Sequence, residues 1–244
     1  MKLTGGEIVA RALADEGIRY AFGIPGTHNI ELYDALARSP VRPVLVTDEQ
    51  SAPFMADAVW RASGRLACVN VVPGAGLTHA LSGIAEAFMD TIPLVVLGCG
   101  IRRDTGKAYQ LHDVDQRAIA QPITKATFLV ERGEDLYATI RRACAAARAG
   151  APGPVMVEVP VNLYWFRHEV TSWEAPPAPT PIWSGSPRRL GRRWRRPFRG
   201  RACDPLPRFG SPLPPRTPRL VFPRVRQPWG SPTHHAPHPT FLEK

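Results

Sequence analysis

Three short segments combine glycine with side chains able to hold or move a proton. They are Phe22-Gly23-Ile24-Pro25-Gly26-Thr27-His28-Asn29, Val46-Thr47-Asp48-Glu49-Gln50-Ser51-Ala52 and Val72-Pro73-Gly74-Ala75-Gly76-Leu77-Thr78-His79. A carboxyl group such as Glu49 does acid–base work when it sits in a dry site against a partner nitrogen, where a hydrogen bond is stronger than in water. On residue type alone, Glu49 is equally an ordinary acid in the first turn of a helix; the helix start favours its anion and burial favours its neutral form. Gly23 and Gly26 suit a tight turn that Pro25 stiffens, and Gly74 with Gly76 suits another. Thr27 and Thr78 stand where a hydroxyl either faces a ligand or caps a helix, and His28 either faces a ligand or water. A fourth segment, 109–116, offers Gln110 and His112 as pocket contacts or as parts of a polar surface loop.

The elements around these segments read as an α/β fold. Short apolar runs rich in β-branched residues, at 20–24, 43–47, 67–72, 94–97, 127–130 and 155–159, alternate with helical periods at 7–16, 29–38, 50–62, 78–89 and 134–149. That alternation predicts a parallel sheet of about six strands flanked by helices. Ile8, Val9, Ala12 and Leu13 are expected on the buried side of the first helix, and Phe54, Met55, Ala58 and Val59 on that of the third. Each of the three glycine or acid segments follows a strand, and ligands of open α/β sheets gather at the carboxyl ends of strands.

Charge and proline content divide the chain near residue 170. Of 31 Lys and Arg and 21 Asp and Glu, 17 and 18 lie in residues 1–170, leaving 14 against 3 beyond; of 27 prolines, 17 lie beyond. The net charge of +10 therefore belongs to residues 171–244. This segment shows no apolar period, so it is expected to be a Pro/Arg-rich linker and disordered tail. Arg, Pro and clustered Trp could form a nucleic-acid-binding arm, but an unselected, out-of-frame extension fits the missing periodicity better, and nucleic acid is not expected as a partner. His234, His235 and His238 are flanked by prolines without a nearby Cys or carboxylate, so no metal site is expected. The four cysteines form no C-x-x-C pair and no run approaches a membrane span; a cytoplasmic, unanchored protein is expected.

Taken together, the motifs resemble the pyrimidine-binding domain of the thiamine-diphosphate enzymes related to acetolactate synthase and the 2-keto acid decarboxylases. The resemblance covers residues 3–170. It rests on Gly23-x-Pro25-Gly26, on Glu49-Gln50-x-Ala52-x-x-Met55-Ala56-Asp57 leading to Ala62-Ser63-Gly64, and on Gly74-x-Gly76-x-Thr78. Met89-Asp90-Thr91-Ile92-Pro93, Pro122-Ile123-Thr124-Lys125 and Gly153 to Pro160 complete it. Any one of these motifs is weak; seven in register are specific. Asp48 stands where many relatives have His, and Ala75 where the usual turn is Gly-Pro-Gly.

The resemblance implies that Glu49 is catalytic. In that family a glutamate shares a proton with N1′ of the aminopyrimidine, favouring the tautomer whose N4′ removes the C2 proton of the thiazolium, after which the cofactor attacks a 2-keto acid. It further implies that Pro25, Gly26, Glu49, Gly74 and Thr78 bind the cofactor and that Thr27, His28, Gln110 and His112 face the substrate. Mg²⁺ and the diphosphate are held in the family by a Gly-Asp-Gly domain, and this sequence has no Gly-Asp-Gly. Nor does a middle domain of the kind that binds FAD follow residue 180. The expectation is a truncated family member that binds only the pyrimidine side and is inactive alone, working as a homodimer or with a partner chain that supplies the diphosphate domain. The rival is a non-catalytic interaction module whose basic tail binds nucleic acid.

Overall fold

Alternation of apolar runs with amphipathic segments does produce a parallel sheet between helices. A computed structural model of the chain describes residues 1–106, 111–170 and 172–174. Its elements are β1 (Lys2–Thr4), α1 (Gly5–Asp15), β2 (Tyr20–Gly23), α2 (Ile30–Ala37), β3 (Arg42–Leu45), α3 (Ser51–Ser63), β4 (Cys68–Val71) and α4 (Ala75–Met89). β5 (Val95–Gly100), α5 (Gln116–Ala120), β6 (Ala126–Leu129), α6 (Leu136–Arg148), β7 (Val155–Pro160), α7 (Val161–Trp165) and β8 (Arg167–Glu169) follow. The tail expected to be disordered falls, beyond residue 174, outside the described residues.

The main sheet has six strands in the order β3-β2-β4-β5-β7-β6, and every neighbouring pair is parallel. Its two faces carry separate cores. Val95, Leu97 and Cys99 of β5 and Val155, Val157 and Val159 of β7 point into one core, with Ile8 and Leu13 of α1, Leu32 and Leu36 of α2 and Ile140 of α6. Val96 and Met156, one residue out of phase, point into the other with Ala52, Ala56, Leu77, Ala80 and Ile84 of α3 and α4. This is the period-2 alternation of a sheet covered on both sides, and it explains why its strands are mostly apolar on both faces.

Four features depart from the sequence reading. α1 starts two residues before 7 because Thr4 caps it: Thr4 Oγ1 accepts from the Glu7 amide at 3.3 Å and Glu7 Oε2 accepts from the Thr4 amide at 2.8 Å, a reciprocal box. α4 starts three residues before 78, so Ala75 and Gly76 are helical. A second sheet, β1 paired antiparallel with β8, joins Lys2–Thr4 to Arg167–Glu169; three-residue strands carry no readable period. Lastly, α3 turns a different face inward. Ala52, Pro53, Ala56 and Asp57 are buried, whereas Phe54 and Met55 are 43% and 41% exposed. Small residues pack here because α3 lies close on α4, where a β-carbon on Gly83 would meet Pro53 Cγ at 2.6 Å. Among the described residues, Cys68, Cys99 and Cys144 are buried free thiols and no helix is long and apolar enough to cross a membrane.

Candidate functional site

β2, β3 and β4 are adjacent and parallel, so the segments that follow them emerge side by side at one end of the sheet. The first is closed by Asn29. Its Oδ1 accepts from the Gly26 amide at 2.6 Å and its Nδ2 donates to the Ile24 carbonyl at 3.2 Å, so one buried side chain folds 24–26 into a turn. Pro25 and Thr27 are exposed; Gly26 and His28 are half-buried. α2 begins at Ile30 with Asn29 at its cap position, so Thr27 is not the helix cap. Just before the turn the backbones crowd: a β-carbon on Gly23 would lie 1.9 Å from the Asn70 carbonyl oxygen.

Glu49 sits in the turn between β3 and α3. α3 begins at Ser51 and has no acid in its first turn, so Glu49 does not serve as a first-turn helix acid; its carbonyl accepts from the Ala52 amide at 3.2 Å instead. Its side chain is only 16% exposed, and its ionic neighbour is His79 Nδ1, 3.5 Å from Oε2. The other oxygen, Oε1, lies 3.6 Å from where a β-carbon on Gly76 would stand. Val72 fills the space between the two glycine segments: its methyls would lie 2.7 Å from β-carbons placed on Gly26 and on Gly76. The result is an apolar floor edged by bare backbone, with a carboxyl group beside it. Burial, and after it the Cys68 and Cys99 thiols and the Glu49 charge, push the nearby Tyr33 phenol well above its usual range. Asp48, Glu49 and His79 offer ligand atoms within 4.8 Å of one another, a spacing that three cation ligands could use; Asp48 and His79 are exposed, and Asp48 already accepts the Gln50 amide at 2.9 Å.

A second cluster joins His28, Gly74 and His112. Gly74 has φ +65°, and a β-carbon there would lie 3.2 Å from His112 Cα. His112 itself adopts φ +68°, a strained conformation for a residue with a side chain and one that clusters at functional sites. The His28 and His112 rings meet edge to face with centroids 5.9 Å apart. Burial, then the charge of His112, lowers the His28 pKa. Thr78 is exposed, and its hydroxyl donates to the Ala75 carbonyl at 3.1 Å; with α4 beginning at Ala75, Thr78 is not the helix cap. Gln110 lies outside the described residues.

The structure thus gathers Gly26 and Glu49 around Val72, and His28 and His112 beside Gly74, while Pro25, Thr27 and Thr78 are exposed. Asn29, Val72 and Tyr33 were not singled out from sequence. Asn29 was legible, since an Asn just ahead of a helix after a Gly-x-Pro-Gly turn has a local bonding role open to it. Val72 was not, because an apolar residue at a strand end carries no mark of what it faces.

Comparison with known proteins bears on these residues. Residues 3–119 match the family model described as thiamine pyrophosphate enzyme, N-terminal TPP binding domain. The chain is 36% identical over 160 residues to the acetolactate synthase large subunit of Haemophilus influenzae and 40% identical over 162 residues to the acetolactate synthase isozyme 3 large subunit of Escherichia coli. It is 38% identical over 164 residues to a probable 2-ketoarginine decarboxylase of Pseudomonas aeruginosa. These matches take in 65–66% of the chain and span only 28–29% of the relatives' own length.

Proposed function

We propose that residues 3–119, homologous to the N-terminal TPP-binding domain of thiamine pyrophosphate enzymes, hold the aminopyrimidine side of thiamine diphosphate with Glu49 facing ring atom N1′. The observation that carries this reading is Glu49 itself: a largely buried carboxyl group whose ionic neighbour is a histidine at 3.5 Å, standing beside an apolar floor edged by glycines. A flat heteroaromatic ring fits such a place. Val72 offers methyl groups to its face, Gly26 and Gly76 let the backbone come close, and Glu49 holds the proton that a ring nitrogen would share. When bound, the cofactor supplies an acidic carbon and an electron sink for 2-keto acid chemistry.

On this reading Pro25, Gly26, Gly74 and Thr78 form the cofactor rim. Thr27, His28, Gln110 and His112 face a 2-keto acid, the substrate class suggested by the names of the relatives. Mg²⁺ and the diphosphate are held by groups outside residues 1–170, in another domain or in a partner chain. Phe54 and Met55 on α3 and Phe88 and Met89 on α4 are exposed apolar side chains of the kind that a second copy or a partner chain would cover. The 244-residue chain alone is then expected to release no carbon dioxide from pyruvate with thiamine diphosphate and Mg²⁺; release above that of a Glu49→Ala variant would overturn this.

The decisive experiment joins residues 1–170 to the remaining domains of a full-length relative and follows exchange of the cofactor's C2 proton by NMR. Glu49→Gln keeps a hydrogen-bonding group but cannot supply the proton, so exchange slows by about 10² to 10⁴-fold, the usual worth of general acid–base catalysis, while the cofactor stays bound. Asp34→Asn, which removes an exposed acid paired with Arg38, is the control for lost charge. Equal exchange in parent and Glu49→Gln, with cofactor bound in both, rejects the assignment.

A further inference from the structure

His112 reaches its place on a segment that leaves the sheet at Gly100 and ends where α5 begins at Gln116, and both ends of that segment are tied to one buried side chain. Glu158, in the middle of β7, is 6% exposed. Its Oε1 accepts from Arg103 Nη2 at 2.7 Å, and its Oε2 lies 3.2 Å from Arg117 Nε. Arg103 stands three residues past β5 and Arg117 is the second residue of α5. Further bonds hold the same two ends. The Arg103 amide donates to the buried Asn162 Oδ1 at 3.2 Å, and the buried Gln116 Nε2 donates to the Cys99 carbonyl at 2.8 Å.

The strands are shaped around this arrangement. A β-carbon on Gly100 would lie 3.1 Å from Glu158 Oε1 and 3.2 Å from Pro160 Cα, and one on Gly98 would meet Met156 Cε at 2.5 Å. Both glycines lie opposite β7, with Gly98 paired to Glu158 and Gly100 to Pro160. A carboxylate shared by two guanidinium groups ties both to one strand, and removing it leaves Arg103 and Arg117, 47% and 39% exposed, without their common ionic partner.

We infer that Glu158 is a positioning residue: it fixes both ends of the 101–115 segment through Arg103 and Arg117, and so sets where His112 stands against Gly74 and His28. Its functional meaning rests on the cofactor reading above; the geometry does not. Each arginine substitution leaves the ion pair at the other end in place, whereas loss of Glu158 removes both ion pairs and leaves each end held only by its Asn162 or Gln116 bond.

The test uses the 244-residue chain, with the ring signals of His28 and His112 and the Gly74 amide followed by NMR. Glu158→Gln is expected to shift all three while methyl signals of the α1/α6 core stay in place. Arg103→Gln and Arg117→Gln are each expected to shift them less, and Arg117→Gln added to Glu158→Gln is expected to add little, since both act through one carboxylate. Arg148→Gln, whose partner is Glu16 on the far side of the sheet, should leave them unmoved. A folded Glu158→Gln chain with unmoved His28 and His112 signals overturns the inference. If that variant does not fold, the two arginine variants decide by the same signals, and no shift in either overturns it. Thiamine diphosphate with Mg²⁺ is added separately to the unsubstituted chain and to the joined full-length form; if neither binds it, the cofactor reading falls and the anchoring result stands.

Discussion

Two carboxyl groups of similar burial sit in opposite circumstances on the two sides of this domain. Glu16, which ends α1 and is 11% exposed, is gripped by the guanidinium groups of Arg141 and Arg148 on α6. Arg148 Nη2 also donates to the Glu16 carbonyl at 2.9 Å, Arg141 Nη1 to the Tyr137 hydroxyl at 2.7 Å, and that hydroxyl to Asp15 at 2.9 Å. Trp173 closes the seam edge-on against Tyr137, with ring centroids 4.8 Å apart, and lies under Arg11 at 5.4 Å. Glu49, 16% exposed, faces a histidine at 3.5 Å. Burial alone therefore does not mark function. A carboxylate with both oxygens bonded to guanidinium groups joins two helices; one whose ionic neighbour is a single histidine keeps bonding capacity for a ligand.

The sharpest way to break this contrast is to remove both acids. Glu16→Ala leaves Arg141 and Arg148 without their shared carboxylate and is expected to cost about 2–3 kcal/mol in urea unfolding, less than the 3–5 of a fully buried pair because Arg148 is 36% exposed. Glu49→Gln keeps the shape of the side chain and gives up only a 3.5 Å contact with a histidine that is 66% exposed, so it should stay within about 0.5 kcal/mol of the parent. Equal losses would show that Glu49 is also a structural tie. Next in size, Gly74→Ala places a side chain at φ +65° and a β-carbon 3.2 Å from His112 Cα; a loss of about 1–2 kcal/mol and displaced His112 signals are expected. An unmoved His112 would separate that turn from the rim.

Sequence pattern made the six main strands and five long helices legible, because the helices are long enough to show a period and the strands are mostly apolar for a reason the sheet supplies. Strand order was not legible: nothing local in Leu94 to Leu97 says that β7 will be its neighbour. The α3 face was misread because Phe54 and Met55 look like core residues by size, while close approach of α4 selects Ala52 and Ala56. At the candidate site, the emergence of Glu49 and the glycine turns at one end of the sheet was legible, because each segment follows a strand. The contact of His28 with His112 was not, because 83 residues of intervening chain had to be folded first.

Smaller effects sharpen the same comparison. Trp173→Ala removes an aromatic contact from the seam and should lower stability by about 1 kcal/mol, with earlier proteolysis near that position; unchanged stability would show that the α1/α6 seam is complete without it. The smallest effect is one of pH at the strand-end edge. Because the His28 pKa is lowered from 6.5 in the folded chain, its contribution is fully present above 6.5 and is lost as pH falls through the folded value, where the unfolded chain binds the proton first. Acidification should therefore loosen the His28–His112 contact before the Glu16 seam responds. A His28→Gln chain with the same acid sensitivity as the parent would argue against that order.

The pairing of β1 with β8 has a consequence for how the chain comes off the ribosome. Lys2–Thr4 are among the first residues made, and their partners Arg167–Glu169 among the last of the described domain. At synthesis rates of about 5–20 residues per second, Leu3 waits roughly ten to thirty seconds for His168. In that interval α1 must be held by the Thr4–Glu7 cap and by α2, since α6 and β7 are not yet made. Closing the ends is then a late event, completed only when translation has passed Glu169.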